Sequence, residues 1–430
     1  MKKNLVNKCF DKVIGYESLK LELTKLLDII NNPKKYERYG TSIPKNFYMS
    51  GRPGLGKTLI ADCFMNGCNR NKYIIRKNEA SDTFIEKMKE TFAKAIENAP
   101  SVILLDDMDK YANSDRNLRD CAEYVAIQAL IDGVEPDKVF VLATINDLNK
   151  LPESLVRAKR FDRGFNLRPL SGIEYKILIK QFLLNKKIAD DVNLDVLNRL
   201  FDGCSCAEIE SILNYAGLDA GFKNNNKLDI DSIFTAYYHI KNKRDQVEVS
   251  NYYFSYEDKL RVSYHEAGHT FLGYLFNHNT IKYCALDFNG TNYDGITEYT
   301  RNINDSDGDF RIRRIMIFLA GKATTEVIYG ENDNGSYSDI SGAYRNLNMD
   351  IIDNARNGFL EECDDEKPER IENIKSFELN RIYNNTKKII LNNIETVKEI
   401  GEKLAEKEYL LFPDIEGIIN KHKIIMPNIL

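Results

Sequence analysis

The chain has 430 residues, 43% of them apolar and 29% charged, which is too long for one ordinary domain and ordinary for two or three. A formal net charge of −5 lacks the basic footprint of a nucleic-acid binder, so no nucleic acid is expected as a partner. No apolar run approaches the roughly 18 residues that span a bilayer, the start "MKKNLVNKCFDK" has no signal-type apolar core, and the eight cysteines show neither disulfide-framework nor zinc-ribbon spacing. A cytoplasmic chain with no direct membrane span is the expectation.

Along the chain, "ESLKLELTKLLDII" has helical periodicity, "KNFYMSG" is a short strand ending in glycine, and "KTLIADCFM" resumes as helix. Between that strand and helix lies Gly51–Thr58, "GRPGLGKT", which fits G-x-x-x-x-G-K-[ST] in the context that gives the pattern meaning. Gly51, Pro53, Gly54 and Gly56 shape a loop whose backbone N–H groups can turn inward around phosphate oxygens at a helix N-terminus. Lys57 is then placed for the β- and γ-phosphates of ATP, and Thr58 for Mg²⁺.

A helix over "TFIEKMKETFAKAIENA" precedes the buried strand of "SVILLDDMDK". Alone, its acidic end reads as a solvated turn; beside a phosphate loop, Asp106 reads as the Mg²⁺ partner and Asp107 as the group that polarises an attacking water. The next buried strand, "KVFVLATIND", ends on Asn146, a candidate for orienting that water or the γ-phosphate. In "LVRAKRFDRGF", Arg157, Arg160 and Arg163 recur every three residues, either as a basic surface turn or as arginine fingers for a neighbouring subunit's nucleotide. Strands alternating with helices imply a parallel sheet covered on both faces. From Ser171 to about Asn242 the pattern is helical, "KNKRDQVEVSNYYFSYED" reads as a linker, and a second mostly helical region follows.

That second region opens on "SYHEAGHTFLG". On a helix, His265 and His269 lie one turn apart on one face and can share a Zn²⁺, with Glu266 beside them as general base toward a water of lowered pKa. Catalytic zinc takes a third protein ligand. Leu272 and Leu275 exclude the extended H-x-x-G-x-x-H form, and spacing leaves Asp287, Asp294, Glu298 and Asp339 all open.

A phosphate loop followed by HEAGH resembles the FtsH-type AAA+ zinc metalloproteases over nearly the full length. The likeness includes the run "VIGYESLKLELTKLLDIINNPKKYERYGTSIPKNFYMSGRPGLGKT", the segment "LPESLVRAKRFDR", the lid-like "FDGCSCAEIESILNYAGLDA" and "GSYSDISGA". The resemblance implies Asp339 as third zinc ligand, Arg160 and Arg163 as arginines acting in trans within a homo-hexamer, and an adenine pocket at Ile14 and Gly15. It also implies an α/β P-loop AAA+ module with a helical lid, followed by a mainly α-helical zinc metallopeptidase domain. The expected boundaries are a large nucleotide-binding part over 1–170, the lid over 171–243, a linker over 244–256 and the peptidase over 257–430. The implied function is ATP-driven delivery of protein or peptide substrates to a zinc-dependent endopeptidase.

Four features depart from the resemblance. The family's transmembrane N-terminal region has no counterpart, so membrane-protein quality control is not expected. Asp107 stands where glutamate is usual, Thr325 stands where glutamate is common, and the aromatic-hydrophobic-glycine pore loop is missing from "NEASDTFIEK", whose one aromatic is Phe84. Two other readings use the same motifs: an AAA+ remodelling ATPase with a structural or vestigial metal site, and a peptidase on unfolded chains whose nucleotide only drives assembly.

Overall fold

A computed structural model of the chain describes residues 8–427 apart from 38, 41–45, 113–120, 136, 157–159, 162, 243–254, 278–279, 290–291, 301–308, 332–334 and 353–367. Most of the linker expected over 244–256, together with Arg157, lies outside the described residues. The chain divides into two compact units, one of Met1–Leu194 with Cys204–Asn242, the other of Asp195–Gly203 with Lys243–Leu430.

The first unit starts with α1 (Glu17–Asn31) and the short α2 (Pro33–Glu37). It then alternates β1 (Asn46–Ser50), α3 (Lys57–Gly67), β2 (Asn71–Ile75), α4 (Ser81–Glu97), β3 (Ser101–Leu105), α5 (Ala122–Asp132), β4 (Val139–Ile145), α6 (Glu153–Val156) and β5 (Arg163–Asn166). The strands form one parallel sheet in the order β2-β3-β4-β1-β5. Strands β3 and β4 are buried along their whole length, the continuous apolar runs that a sheet covered on both faces demands. Their side chains alternate between two cores. Phe47, Met49, Val102, Leu104, Phe140 and Leu142 pack with α1 and α3, while Ile103, Leu105, Val139, Val141 and Ala143 pack with α4 and α5. Strands β2 and β5 form the sheet edges and are mostly exposed, so "NKYII" is too short an apolar run to mark a buried strand and "RGFN" carries little apolar signal. After α7 (Gly172–Leu183) comes α8 (Leu194–Leu200), which from Asp195 on belongs to the second unit; α9 (Cys206–Phe222) and α10 (Ile230–Asn242) complete the first.

The second unit contains α11 (Tyr256–Asn277), β6 (Ile281–Asn289), β7 (Asn292–Tyr299), α12 (Phe310–Tyr329), α13 (Tyr337–Ile352), α14 (Pro368–Asn392), α15 (Ile394–Lys407), β8 (Tyr409–Leu411) and α16 (Phe412–Ile419). Helices predominate, and an antiparallel sheet of order β7-β6-β8 joins them. Its core gathers Ala267, Phe271 and Leu272 of α11 with Ile315, Leu319 and Ala323 of α12 and Ile400 and Leu404 of α15. Among the described residues no helix is long and apolar enough to cross a membrane.

Candidate functional site

In the first unit the phosphate loop joins the carboxyl end of β1 to the start of α3, the place where open α/β sheets bind ligands. Gly54 adopts φ +78, and a Cβ there would press on Ser205 Oγ at 2.6 Å, so only glycine lets the loop pass the start of α9. Lys57 Nζ donates to the carbonyls of Gly51 at 2.6 Å and Arg52 at 2.9 Å. Burial pushes its pKa below the ordinary lysine value, against the opposing pull of Asp107, Asp109 and Asp106.

Thr58 Oγ1 donates to Asp106 Oδ1 at 3.2 Å, which joins the loop to the end of β3. Asp107, the next residue, sits in the left-handed region at φ 51 and turns its carboxylate the other way. Oδ1 accepts from Asn146 Nδ2 at 2.9 Å and Oδ2 pairs with Lys110 at 2.6 Å. Burial works to raise the Asp107 pKa, but Lys110 and Asn146 outweigh it and hold it below the usual carboxylate value.

A cavity of about 540 Å³ lies over this loop. Gly54–Thr58, Asp107 and Asn146 line one part of it, and the apolar groups of Val13, Ile14, Leu178 and Phe182 line another. A polar phosphate end beside an apolar base end suits ATP, and the Thr58–Asp106 pair supplies the oxygen ligands Mg²⁺ prefers. Ile14 lines this cavity; Gly15 makes the positive-φ turn between Ile14 and Tyr16 and packs on Leu170.

In the second unit, α11 presents two faces. On one, His265 Nε2 and His269 Nε2 lie 3.1 Å apart, and Asp339 Oδ2, from the first turn of α13, lies 3.1 and 3.2 Å from them. A tetrahedral zinc with bonds of about 2.0–2.1 Å spaces its ligand atoms about 3.3 Å apart, so this triangle fits the ion. The donor chemistry agrees. His269 Nδ1 lies 2.7 Å from the Ile317 carbonyl, which requires the proton on Nδ1 and turns the Nε2 lone pair toward Asp339. A lone pair facing a carboxylate oxygen calls for a cation between them. Gly321 of α12 completes the cradle, because a Cβ there would overlap Nε2 of both histidines. Burial works against the Asp339 charge, and His265 and His269 outweigh it and lower the pKa only while their Nε2 atoms carry protons, a place that a bound cation would take.

Glu266 emerges from the adjoining face and is buried. Thr297 Oγ1 donates to its Oε2 at 2.8 Å. Gly295, Thr297 and Tyr299 share one face of β7, and they meet Glu266, Thr270 and the His269 carbonyl of α11. The match is geometric: two strand residues advance about 6.8 Å and four helix residues about 6 Å. Glu298, on the opposite strand face, lies 3.9 Å from Lys282 Nζ. The side chains of Asp287 and Asp294 lie outside the described residues.

Residues 47–169 match the family model described as ATPase family associated with various cellular activities (AAA). Nearly the whole chain aligns with proteins named ATP-dependent zinc metalloprotease FtsH or FtsH 2. It is 26% identical to one from Thermoanaerobacter sp. (strain X514), over 96% of this chain and 83% of the relative. It is 26% identical to one from Phytoplasma mali (strain AT), over 96% of this chain and 63% of the relative. It is 27% identical to one from Ureaplasma parvum serovar 3, over 98% of this chain and 62% of the relative. The chain is FtsH-like.

Against that FtsH likeness, several further positions take on meaning. Phe84 is 1% exposed and packs edge-on against Tyr111 at 4.9 Å, so it belongs to the core of the AAA module. The connection from β2 to α4 is residues 76–80, "RKNEA", with no aromatic at all. Thr325 is buried and spends its hydroxyl on the carbonyls of Gly321 and Lys322 in its own helix. Arg160 makes a two-pronged contact with Asp132 at 2.9 and 2.6 Å, and Arg163 pairs with Glu22 at 3.2 Å. Reading the sequence missed Thr297, Gly321 and the Ile317 carbonyl. Only the alternation in "GITEY" and the small residues of "LAGKATT" hinted at close packing there.

Proposed function

We propose that this chain is an ATP-dependent zinc metalloendopeptidase acting on protein substrates, with Glu266 as general base and His265, His269 and Asp339 as zinc ligands. One observation carries the reading: three ligand atoms at zinc spacing beside a carboxylate locked by Thr297, in a chain that also holds a phosphate loop. When bound, zinc supplies Lewis acidity that brings the pKa of its water to about 7 and polarises the scissile carbonyl. The Glu266 carboxylate takes the proton of the attacking water and passes it to the departing amine. Thr297 fixes the direction in which that carboxylate points, and the Ile317 carbonyl keeps the His269 ring in the ligating tautomer.

In the first unit, Lys57 is to bind the phosphates, Thr58 and Asp106 the Mg²⁺, and Asp107 with Asn146 the attacking water. The Asn146–Asp107 hydrogen bond supports that pairing. Arg160 and Arg163 are to act in trans in a homo-hexameric ring. Their present partners, Asp132 and Glu22, are both more than one-third exposed, and such surface pairs are weak enough to exchange for phosphate. The adenine is to pack near Ile14. A cytoplasmic setting is part of the proposal, supported by described cysteines that form no disulfide.

The test is a paired assay on the full chain. Glu266→Gln is expected to retain zinc by elemental analysis and lose peptide hydrolysis by at least about 100-fold, the scale of lost general-base catalysis. Lys57→Ala is expected to abolish ATPase activity. Peptide turnover at parental rate in Glu266→Gln would remove the carboxylate from the mechanism.

The buried Phe84 and aromatic-free 76–80 segment favour one narrower reading. With no aromatic in that segment to grip polypeptide, nucleotide serves assembly more than unfolding, and the substrates are chains already unfolded.

A further inference from the structure

Asp106 is buried at the end of β3, and its two oxygens are used differently. Oδ1 accepts from Thr58 Oγ1 at 3.2 Å and Thr144 Oγ1 at 2.7 Å, whereas Oδ2 accepts from Arg76 Nε at 2.7 Å. The sequence gives no warning of this pair, because thirty positions separate its members.

The sheet creates it. In the parallel register of β2 and β3, Ile75 stands opposite Leu105, so the next residues, Arg76 and Asp106, leave the sheet side by side. Asp106 N–H donates to the Ile75 carbonyl at 3.0 Å, which holds the two backbones together. On the other side, Lys77 Nζ donates to the Tyr111 carbonyl at 2.6 Å and to Glu123 Oε1 at 3.1 Å. The backbone of Arg76 is therefore tied on both flanks, and its guanidinium is delivered to Asp106. The arginine side chain remains 50% exposed while the aspartate is 8% exposed, so the arginine is the partner that can move.

A guanidinium stays charged at every working pH. Mg²⁺ at this site needs the same carboxylate charge that Arg76 already balances, and two cations compete for one anion. We propose that Arg76 is the resident counter-ion of the metal-side carboxylate and sets the Mg²⁺ requirement of nucleotide binding. Loading then follows free Mg²⁺ over a higher concentration range than Asp106 without Arg76 would impose. This inference rests on the nucleotide reading of the Gly51–Thr58 loop.

The experiment titrates free Mg²⁺ against binding of a fluorescent, slowly hydrolysed ATP analogue to the full-length chain. Arg76→Met removes the charge and keeps the stem; Arg76→Gln keeps a donor without charge and serves where the methionine variant does not fold. Both are expected to lower the Mg²⁺ midpoint about tenfold, the effect of one neighbouring charge. A merely structural Arg76 would weaken analogue binding at every Mg²⁺ concentration and leave the midpoint in place. An unchanged or higher midpoint in a folded variant overturns the inference while the parent's binding keeps the nucleotide reading. A parent chain that binds no analogue at saturating Mg²⁺ overturns both.

Discussion

At the residue scale, the metal cradle turns on an atom that is missing. Replacing glycine with alanine inside a helix ordinarily adds stability, by about 1 kcal/mol. At Gly321 the added methyl would overlap both imidazole Nε2 atoms, so the sign reverses for metal binding. Gly321→Ala is expected to keep its helical circular dichroism and lose zinc affinity by about 10- to 100-fold, the range seen when the surroundings of a ligand are disturbed. Elemental analysis after dialysis reads the result; full zinc occupancy would mean that the histidines bind the ion elsewhere. His265 and His269 were legible because a helix puts residues four apart on one face, and Glu266 because it follows the first of them onto the adjoining face. Asp339 was not distinguishable by spacing, since it stands 70 positions from His269 and three other acids compete.

At the scale of elements, α9 shows how local sequence signals support a site. Ser205 Oγ accepts from Glu208 N–H at 3.2 Å and Glu208 Oε2 accepts from Ser205 N–H at 2.6 Å, a capping box that starts α9 against Gly54 of the phosphate loop. Burial would raise the Glu208 pKa, but Lys241 and the Ser205 donors outweigh it and the net shift is downward. A folded pKa below the unfolded one means stability present above the unfolded value and lost as pH falls through the folded one. Glu208 is partly exposed, which limits the contribution to under about 1 kcal/mol. Glu208→Gln should therefore lower the midpoint of the ATP-sensitive thermal transition at pH 7, with the gap to the parent closing below about pH 4.5. An equal gap at both pH values would assign the effect to something other than this charge. The same scale explains the strands that patterning overlooked. β2 and β5 lie at the sheet edges, with one face or less buried, and β6–β7 follow a helix whose histidines dominate the local signal.

At the scale of the whole molecule, the question is how far ATP hydrolysis helps cleavage. A segment without aromatic side chains offers little apolar contact to a passing chain, and Phe84 is committed to Tyr111. The expected outcome is that a permanently unfolded substrate is degraded at least about tenfold faster than a tightly folded one of the same sequence length, a ratio equivalent to about 1.4 kcal/mol of barrier. Excess ATP should leave most of that difference in place. Equal degradation of both with ATP, and of neither without it, would show that the chain unfolds its substrates by other contacts.

Gly51–Thr58 and His265–His269 were readable in the sequence because each completes its geometry within two turns of backbone, where residue spacing alone sets direction. The buried strands β3 and β4 were readable for a related reason, since burial on both faces writes an unbroken apolar run. Asp339, Thr297, Gly321 and the Arg76–Asp106 pair depended on the fold. Each acts across a helix crossing or a strand register, and contacts of that kind exist only once packing has brought distant backbone together.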